Sequence, residues 1–279
     1  MATSYGREWL LTIGGYQWSD LRVRVVFEVK RTLGKYPDPA QITVYNLAAT
    51  TRASFGQGDQ VRLVAGYQGN AGLLYSGQVM DLIINRDGPD WASTFTVRDG
   101  DSAWKTKVNT VFASSAPLTV AVNTIANAMG LLVLPTSQAL LQGLRVRGQV
   151  VHLGPGHDAL SKMLAPYKLS WCLQDGQLVI IPTNGTTSEE AVLLSPTTGL
   201  VGAPVPMTDM KIKGFAQGFR RLRITSLLEP SLTPGRRVVL QSEQYSGVYR
   251  VDAVVHRGDS RGQDWYSVIE TTFLGAGVA

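Results

Sequence analysis

The chain has 279 residues, 44% hydrophobic, 17% charged and 8% aromatic, enough for one large or two modest domains with cores of their own and too apolar for a disordered polymer. One cysteine, Cys172, excludes an internal disulfide framework and any cysteine-rich zinc module, and no apolar run nears the roughly 20 residues of a membrane-spanning helix. The net charge of +5 falls in scattered groups (Arg22 and Arg24, Arg145 and Arg147, Arg220, Arg221 and Arg223, Arg236 and Arg237). That scatter argues against specific nucleic-acid binding and suits an acidic protein partner or a charged lumen. Met1 to Trp9 includes Arg7 and Glu8 and lacks the apolar stretch of a signal peptide. The expected location is a cytoplasm, until the product joins something larger.

The first hundred residues alternate. Leu21, Val23, Val25, Phe27 and Val29 between Arg22, Arg24, Glu28 and Lys30 have the period of a half-buried strand. The stretch from Gly34 to Pro39 breaks the pattern, and Ile42 to Leu47 resumes it. Val61, Leu63, Ala65 and Tyr67 lead to a turn at Gly69-Asn70, and Leu74–Asn85 and Trp91–Arg98 flank Asp87-Gly88, a hairpin signal. Short strands joined this way predict a barrel or a sandwich. After Pro117 the period becomes helical through Leu118, Val122, Ile125, Ala126 and Met129, with Gly130 placed as the stop. A second short helix is predicted from His157 to Tyr167, cut early by Pro166, and a hairpin follows around Asp175-Gly176. Beyond the polar loop Thr183–Glu190, strand patterning returns at Arg221–Ile224, Val238–Gln241, Tyr249–His256 and Trp265–Thr272. The predicted class is mainly β with a small α+β insert, divided as 1–100, 101–190 and 191–279.

The two β-rich ends resemble each other. Gly58-Asp59-Gln60-Val61 matches Gly235-Arg236-Arg237-Val238, and Tyr75-Ser76-Gly77 matches Tyr245-Ser246-Gly247. Asp81 through Arg86 then aligns with Asp252 through Arg257, and Asp90-Trp91 with Asp264-Trp265. The ordered series predicts a duplicated β-barrel. Trp91 and Trp265, in matching places, are expected to share a packing role. Three such chains around an axis would set six similar domains in a ring and dock on a sixfold object.

The residues that catalysis or metal binding would need are missing or scattered. His152, His157 and His256 lie in separate segments, too few and too far apart in sequence for a zinc site. His157-Asp158 reads as a pair at a helix start, capping orphan amides. His152 and His256 read as ordinary surface or partly packed residues, and Cys172 beside Trp171 as a small buried hydrophobe. There is no Gly-x-Ser-x-Gly elbow, and Gly154-Pro155-Gly156 lacks the Lys-Ser/Thr ending of a phosphate loop. Glu189-Glu190 reads as a solvated pair, and Asp99 and Asp101 around Gly100 as turn residues. No catalytic, cofactor-binding or metal-binding residue is assigned, and no enzymatic activity is expected.

The series Ile42-Thr43-Val44-Tyr45-Asn46-Leu47, Gly58-Asp59-x-Val61, Ala65-Gly66-Tyr67, Tyr75-Ser76-Gly77 and Arg98-Asp99-Gly100 resembles the first domain of baseplate hub proteins of contractile-tailed bacteriophages. Ser195 to Pro204, Glu229 to Gly235, Gly247 to Val251, His256-Arg257-Gly258-Asp259 and Trp265-Tyr266-Ser267 extend the likeness to the second. The resemblance implies two tail-tube-like β-barrels per chain and a homotrimeric ring between a sixfold tail tube and a threefold central spike. It implies a tail tube protein and a separate spike protein as partners, with the tape measure and baseplate wedge nearby, DNA passing through the lumen without specific binding, and a place in the virion tail after assembly in the bacterial cytoplasm. The loops Gly34–Pro39 and Thr183–Glu190 are expected to matter for assembly. Two alternatives fit the same residues: a spike-base component of a type VI secretion or related contractile injection system, and a small-barrel binder of oligosaccharide or single-stranded nucleic acid.

Overall fold

A computed structural model describes residues 6–19, 23–207 and 221–275; Leu21, Arg22 and Arg220 lie outside them. Strands β1 (Arg7–Ile13), β2 (Tyr16–Trp18), β3 (Val25–Thr32) and β4 (Pro39–Tyr45) precede helix α1 (Ala49–Ala53), and β5 (Gln60–Tyr67), β6 (Gly72–Asp87) and β7 (Asp90–Arg98) follow. The middle runs through α2 (Asp101–Lys105), β8 (Lys107–Phe112), α3 (Leu118–Ala128), β9 (Leu132–Val133), α4 (Pro135–Leu141), β10 (Val150–Pro155), α5 (Gly156–Leu164), β11 (Leu169–Gln174) and β12 (Gln177–Pro182). The last stretch holds β13 (Val192–Leu194), β14 (Leu200–Pro206), β15 (Arg221–Leu227), β16 (Arg237–Gln241), β17 (Ser246–Asp259) and β18 (Trp265–Gly275).

Local chemistry sets the helix ends. α3 closes on Met129, and Gly130 follows at φ +73°, a left-handed conformation that a Cβ would strain. α5 passes into a single 3-10 turn, Ala165–Tyr167, that carries the chain over Pro166. The five-residue helices α1 and α2 and the seven-residue α4 are too short to show a helical period in the sequence.

The chain divides into two compact units: residues 1–32, 39–97 and 189–279, and residues 33–38 with 98–188. The second unit is the α+β part. Its core gathers Leu118, Ile125, Leu160, Leu164 and Leu178, all fully buried. Leu33 packs with Cys172, Val179, Ile181 and Leu134, which ties the 33–38 segment to this unit.

The first unit is one 13-stranded sheet with the path β14-β15-β18-β17-β3-β4-β7-β6-β5-β1-β2, and β16 and β13 branching from β17. The mainly β class with an α+β insert is as the sequence predicts, but among the described residues no barrel closes. In the first end, the edge of β3 that closure would need is taken by β17 of the other β-rich end. Two cores serve the two ends, one around Ile13, Ile42, Leu63 and Phe95, the other around Leu222, Ile224, Val251 and Ile269. Fully burying one such side chain is worth about 1.5–3 kcal/mol.

At the meeting of the two ends, Gly258 lies opposite Phe27, and a Cβ on Gly258 would sit 2.2 Å from the Phe27 ring. Gly258→Ala is therefore expected to destabilise the chain by about 1–3 kcal/mol through overpacking. Denaturant unfolding checks this, and an unchanged midpoint would show that the two strands do not meet there.

Candidate assembly interface

The residues singled out for chemistry are engaged in structural bonds. His152 Nε2 donates to the Pro155 carbonyl at 2.9 Å, and His157 donates to the Trp104 carbonyl at 3.1 Å while its ring stacks 3.7 Å from Trp104. His157 and Asp158 do not cap α5, which has no side-chain cap bond; stacking on Trp104 holds His157 instead. Cys172 is 1% exposed and accepts a bond from the Gln174 amide. Asp99 accepts from the Gly176 amide at 2.9 Å, and Asp101 is clasped by Lys105 at 2.6 Å and Arg98 at 3.4 Å, both carboxylates being buried. The Glu189-Glu190 pair is not simply solvated: Arg236 meets the Glu189 carboxylate at 3.4 Å and donates to the Glu190 carbonyl at 3.0 Å. Among the described residues, no cluster of His, Cys, Asp or Glu could hold a metal ion.

The densest set of specific contacts between the two β-rich ends is the β3–β17 junction. β17 pairs with β16 through Ser246–Arg250, and on the same edge with β3 through Ala253–Asp259. There Asp259 faces Val26, Gly258 faces Phe27, Arg257 faces Glu28 and His256 faces Val29. Arg257 Nε and Glu28 Oε2 are 2.8 Å apart. The ladder continues past β17: the Ser260 amide donates to the Val25 carbonyl, and the Val25 amide donates to Ser260 Oγ, both at 2.9 Å. Trp265 seals one end, its indole N–H donating to the Gly66 carbonyl at 3.0 Å and its ring meeting Phe27 edge-on at 5.5 Å. Arg7 lies over that ring and donates to the Asp259 carbonyl at 2.9 Å.

Of the ionisable groups perturbed here, two bear on stability in acid. Burial raises the Asp259 carboxyl, but the Arg24 guanidinium at 2.7 Å and the amides of Arg261 and Gly262 outweigh it, and the net shift is downward. His256 and His152 are both buried, where the sequence reading made them surface or partly packed residues, and His256 bonds Ser267 Oγ at 2.8 Å. Desolvation, assisted by the nearby Arg31 charge, pushes its pKa down to about 3. The imidazole is therefore neutral in the fold at neutral pH.

The two ends repeat one strand order. β3-β4-β7-β6-β5-β1 in the first corresponds to β14-β15-β18-β17-β16-β13 in the second, although β13 runs parallel to β16 where β1 is antiparallel to β5. Matched hydrogen bonds fix the register. Gly58 donates to the Val79 carbonyl as Gly235 does to that of Val251, and Val79 donates to Asp59 as Val251 does to Arg236. Val79 thus superposes on Val251, so the sequence match of Asp81 with Asp252 is one residue out and that of Tyr75-Ser76-Gly77 with Tyr245-Ser246-Gly247 is two out, since Gly77 faces Val61 as Tyr249 faces Val238. The Trp91 and Trp265 carbonyls correspond too, accepting from Asn46 and Leu228. Their rings differ: Trp265 is 2% exposed, while Trp91 is half-buried between the guanidiniums of Arg52 and Arg86, at 4.4 and 4.3 Å.

Because of that difference, Trp265→Ala is expected to cost about 3–5 kcal/mol, and Trp91→Ala less than half as much. Equal losses in denaturant unfolding of the dilute chain would contradict the assignment. Stability should also fall as pH drops from about 6.5 toward 3, because the unfolded chain takes up the proton that folded His256 refuses. The slope approaches about 1.4 kcal/mol per pH unit. Asp259 adds to this only below its ordinary value of 3.8, where its depressed carboxyl begins to lose its charge advantage. His256→Gln is expected to flatten the profile between pH 6.5 and about 4; an unchanged slope in melting experiments would contradict the burial of a neutral imidazole.

No protein-family profile and no curated protein sequence matches the chain. Solved structures do. The 43 kDa tail protein of prophage MuSo2 from Shewanella oneidensis is similar over 96% of this chain and 98% of its own, with a TM-score of 0.67 at 11% identity. A tail protein from Neisseria meningitidis MC58 is similar over 96% and 97%, with a TM-score of 0.67 at 12% identity. The E. coli c3393 protein, a type VI secretion system component described as structurally similar to T4 bacteriophage tail proteins gp27 and gp5, matches over 96% of this chain and 79% of its own, with a TM-score of 0.59 at 12% identity. The chain has the fold of these tail and secretion-system proteins.

Proposed function

We propose that the chain is a structural protein of a contractile phage tail, the central hub of the baseplate. Three copies surround an axis, so that six similar β-rich halves form a ring that meets a sixfold tail tube on one face and a threefold spike on the other. The observation that carries this reading is the repeated strand order within one sheet, on a fold shared with phage tail proteins along almost the whole chain. The halves are the two tube-like domains, 1–100 and 191–279, with 101–190 as an insert. The ring nucleates tube assembly and holds a separate spike protein, next to the tape measure and the wedge, and DNA passes through the lumen without specific contacts. The role is mechanical and needs no catalysis or cofactor. The loops Gly34–Pro39 and Thr183–Glu190 contribute contacts to neighbouring baseplate proteins.

The E. coli likeness favours one second reading, a spike-base component of a secretion or injection system. It shares the ring and differs in what the ring is attached to; the neighbouring genes separate the two.

Light scattering and particle images of the purified chain test the ring. A species of roughly 90 kDa, three chains of 30.2 kDa, with threefold symmetry and six similar lobes is expected. A chain that stays monomeric even with tube and spike proteins present would overturn the reading.

A further inference from the structure

The β3–β17 junction uses one edge of β17 twice, and its counterpart β6 uses that edge once. β6 meets β5 along Gly72–Gln78, and the amide and carbonyl of Val79 are taken by Asp59 and Gly58. From Met80 to Asp87, no strand among the described residues pairs with the edge that β17 gives to β3. The exposures show the consequence. By the hydrogen-bond register, Leu82, Ile84 and Arg86 stand where Val254, His256 and Gly258 stand in β17. Val254 and His256 are 0% and 1% exposed, whereas Ile84 is 42% exposed and its neighbour Ile83 54%. Leu82 still packs on the core of its own half, so the strand keeps its facing while its outer half lacks a cover.

The counterpart of β3 likewise has an edge with no strand on it among the described residues. There β14 ends the sheet path and pairs only with β15. Val201 faces Thr225 and Val205 faces Arg223 on β15, as Val26 faces Thr43 and Glu28 faces Gln41 on β4. With β4 laid on β15 through Ile42-Thr43 and Ile224-Thr225, Val201 takes the place of Val26 and Val205 that of Glu28. Both valines are exposed, at 43% and 58%.

We infer that the outer half of β6 pairs antiparallel with β14 of a second copy of this chain, as β17 pairs with β3 inside one copy. Arg257 faces Glu28 within the chain, so Asn85 faces Val205 of the second copy and Ile84 faces Pro206. Pro206 brings no N–H, so this ladder is shorter by one bond, and proline on a free edge limits indiscriminate pairing. Each copy offers one β6 edge and one β14 edge, a head-to-tail contact that forms a ring when the rotation closes. The inference rests on the hub reading only for the closure at three.

Asn85→Cys with Val205→Cys, in a Cys172→Ser background, tests it, because facing residues of an antiparallel pair lie within disulfide range. Under mild oxidation, the double variant should give a non-reducing ladder of two and three chains, and each single variant should give monomer. A species of three chains by light scattering that gives no ladder would overturn the strand pairing and leave the hub reading standing. A ladder running past three would uphold the pairing and overturn the closure, and a monomer that does not cross-link would overturn both. A second variant, Ile84→Glu, places a charge on the exposed edge; it should leave the melting of the dilute chain unchanged and shift the mass to monomer. An oligomer unaffected by it would count against the pairing.

Discussion

The first unit depends on the antiparallel pairing of β3 with the outer half of β17. β3 and β17 are more than 200 residues apart in sequence, so closing the loop between them carries an entropic cost that local contacts must offset. The offset comes from several sources at one place. The ladder supplies backbone bonds, Phe27 meets Gly258 and Trp265, Arg24 neutralises Asp259 at 2.7 Å, and the Trp265 indole reaches the Gly66 carbonyl. The junction joins two cores that would otherwise each face water along an unpaired edge.

A junction of this kind is asymmetric. The second half gives the outer edge of its long strand to the first half, but among the described residues no strand takes the matching edge of the first half. Exposed Ile83 and Ile84 are the physical residue of that asymmetry, and so is Trp91, which is half-buried beside two guanidiniums at the place where Trp265 is sealed. Isolated exposed apolar residues need no explanation. These stand where a repeated architecture buries their counterparts.

Much of this was legible in the sequence. The alternation at Val25–Val29, the hairpin at Asp87-Gly88, the helix ended by Gly130 and the hairpin at Asp175-Gly176 all report local geometry, which period and turn chemistry encode directly. The duplication was legible too, though loops of different length left the match of Asp81 and Asp252 one residue out and that of Tyr75-Ser76-Gly77 with Tyr245-Ser246-Gly247 two. The partner of β3 was not legible, because alternation says which face is buried and not which strand lies alongside. One signal was available. β6 and β17 have 16 and 14 residues, far more than β5 or β16 can cover, and a strand that long needs a second neighbour. The burial of His256 was missed for the same reason, since only the docked β3 turns its strand face into an interior. The short helices and the clasp of Arg236 on Glu189 and Glu190 leave no periodic trace.

The central claim is that one of two matched edges is satisfied inside the chain and the other only by a second copy. Amide hydrogen exchange followed against protein concentration measures this most directly. The account predicts that the amides of His256 and Gly258, which point to β3, are protected at every concentration, whereas those of Ile84 and Arg86, which point to the matching edge of β6, exchange quickly in the dilute chain and become protected as it assembles. Assembly that leaves Ile84 and Arg86 exchanging as fast as before would contradict it.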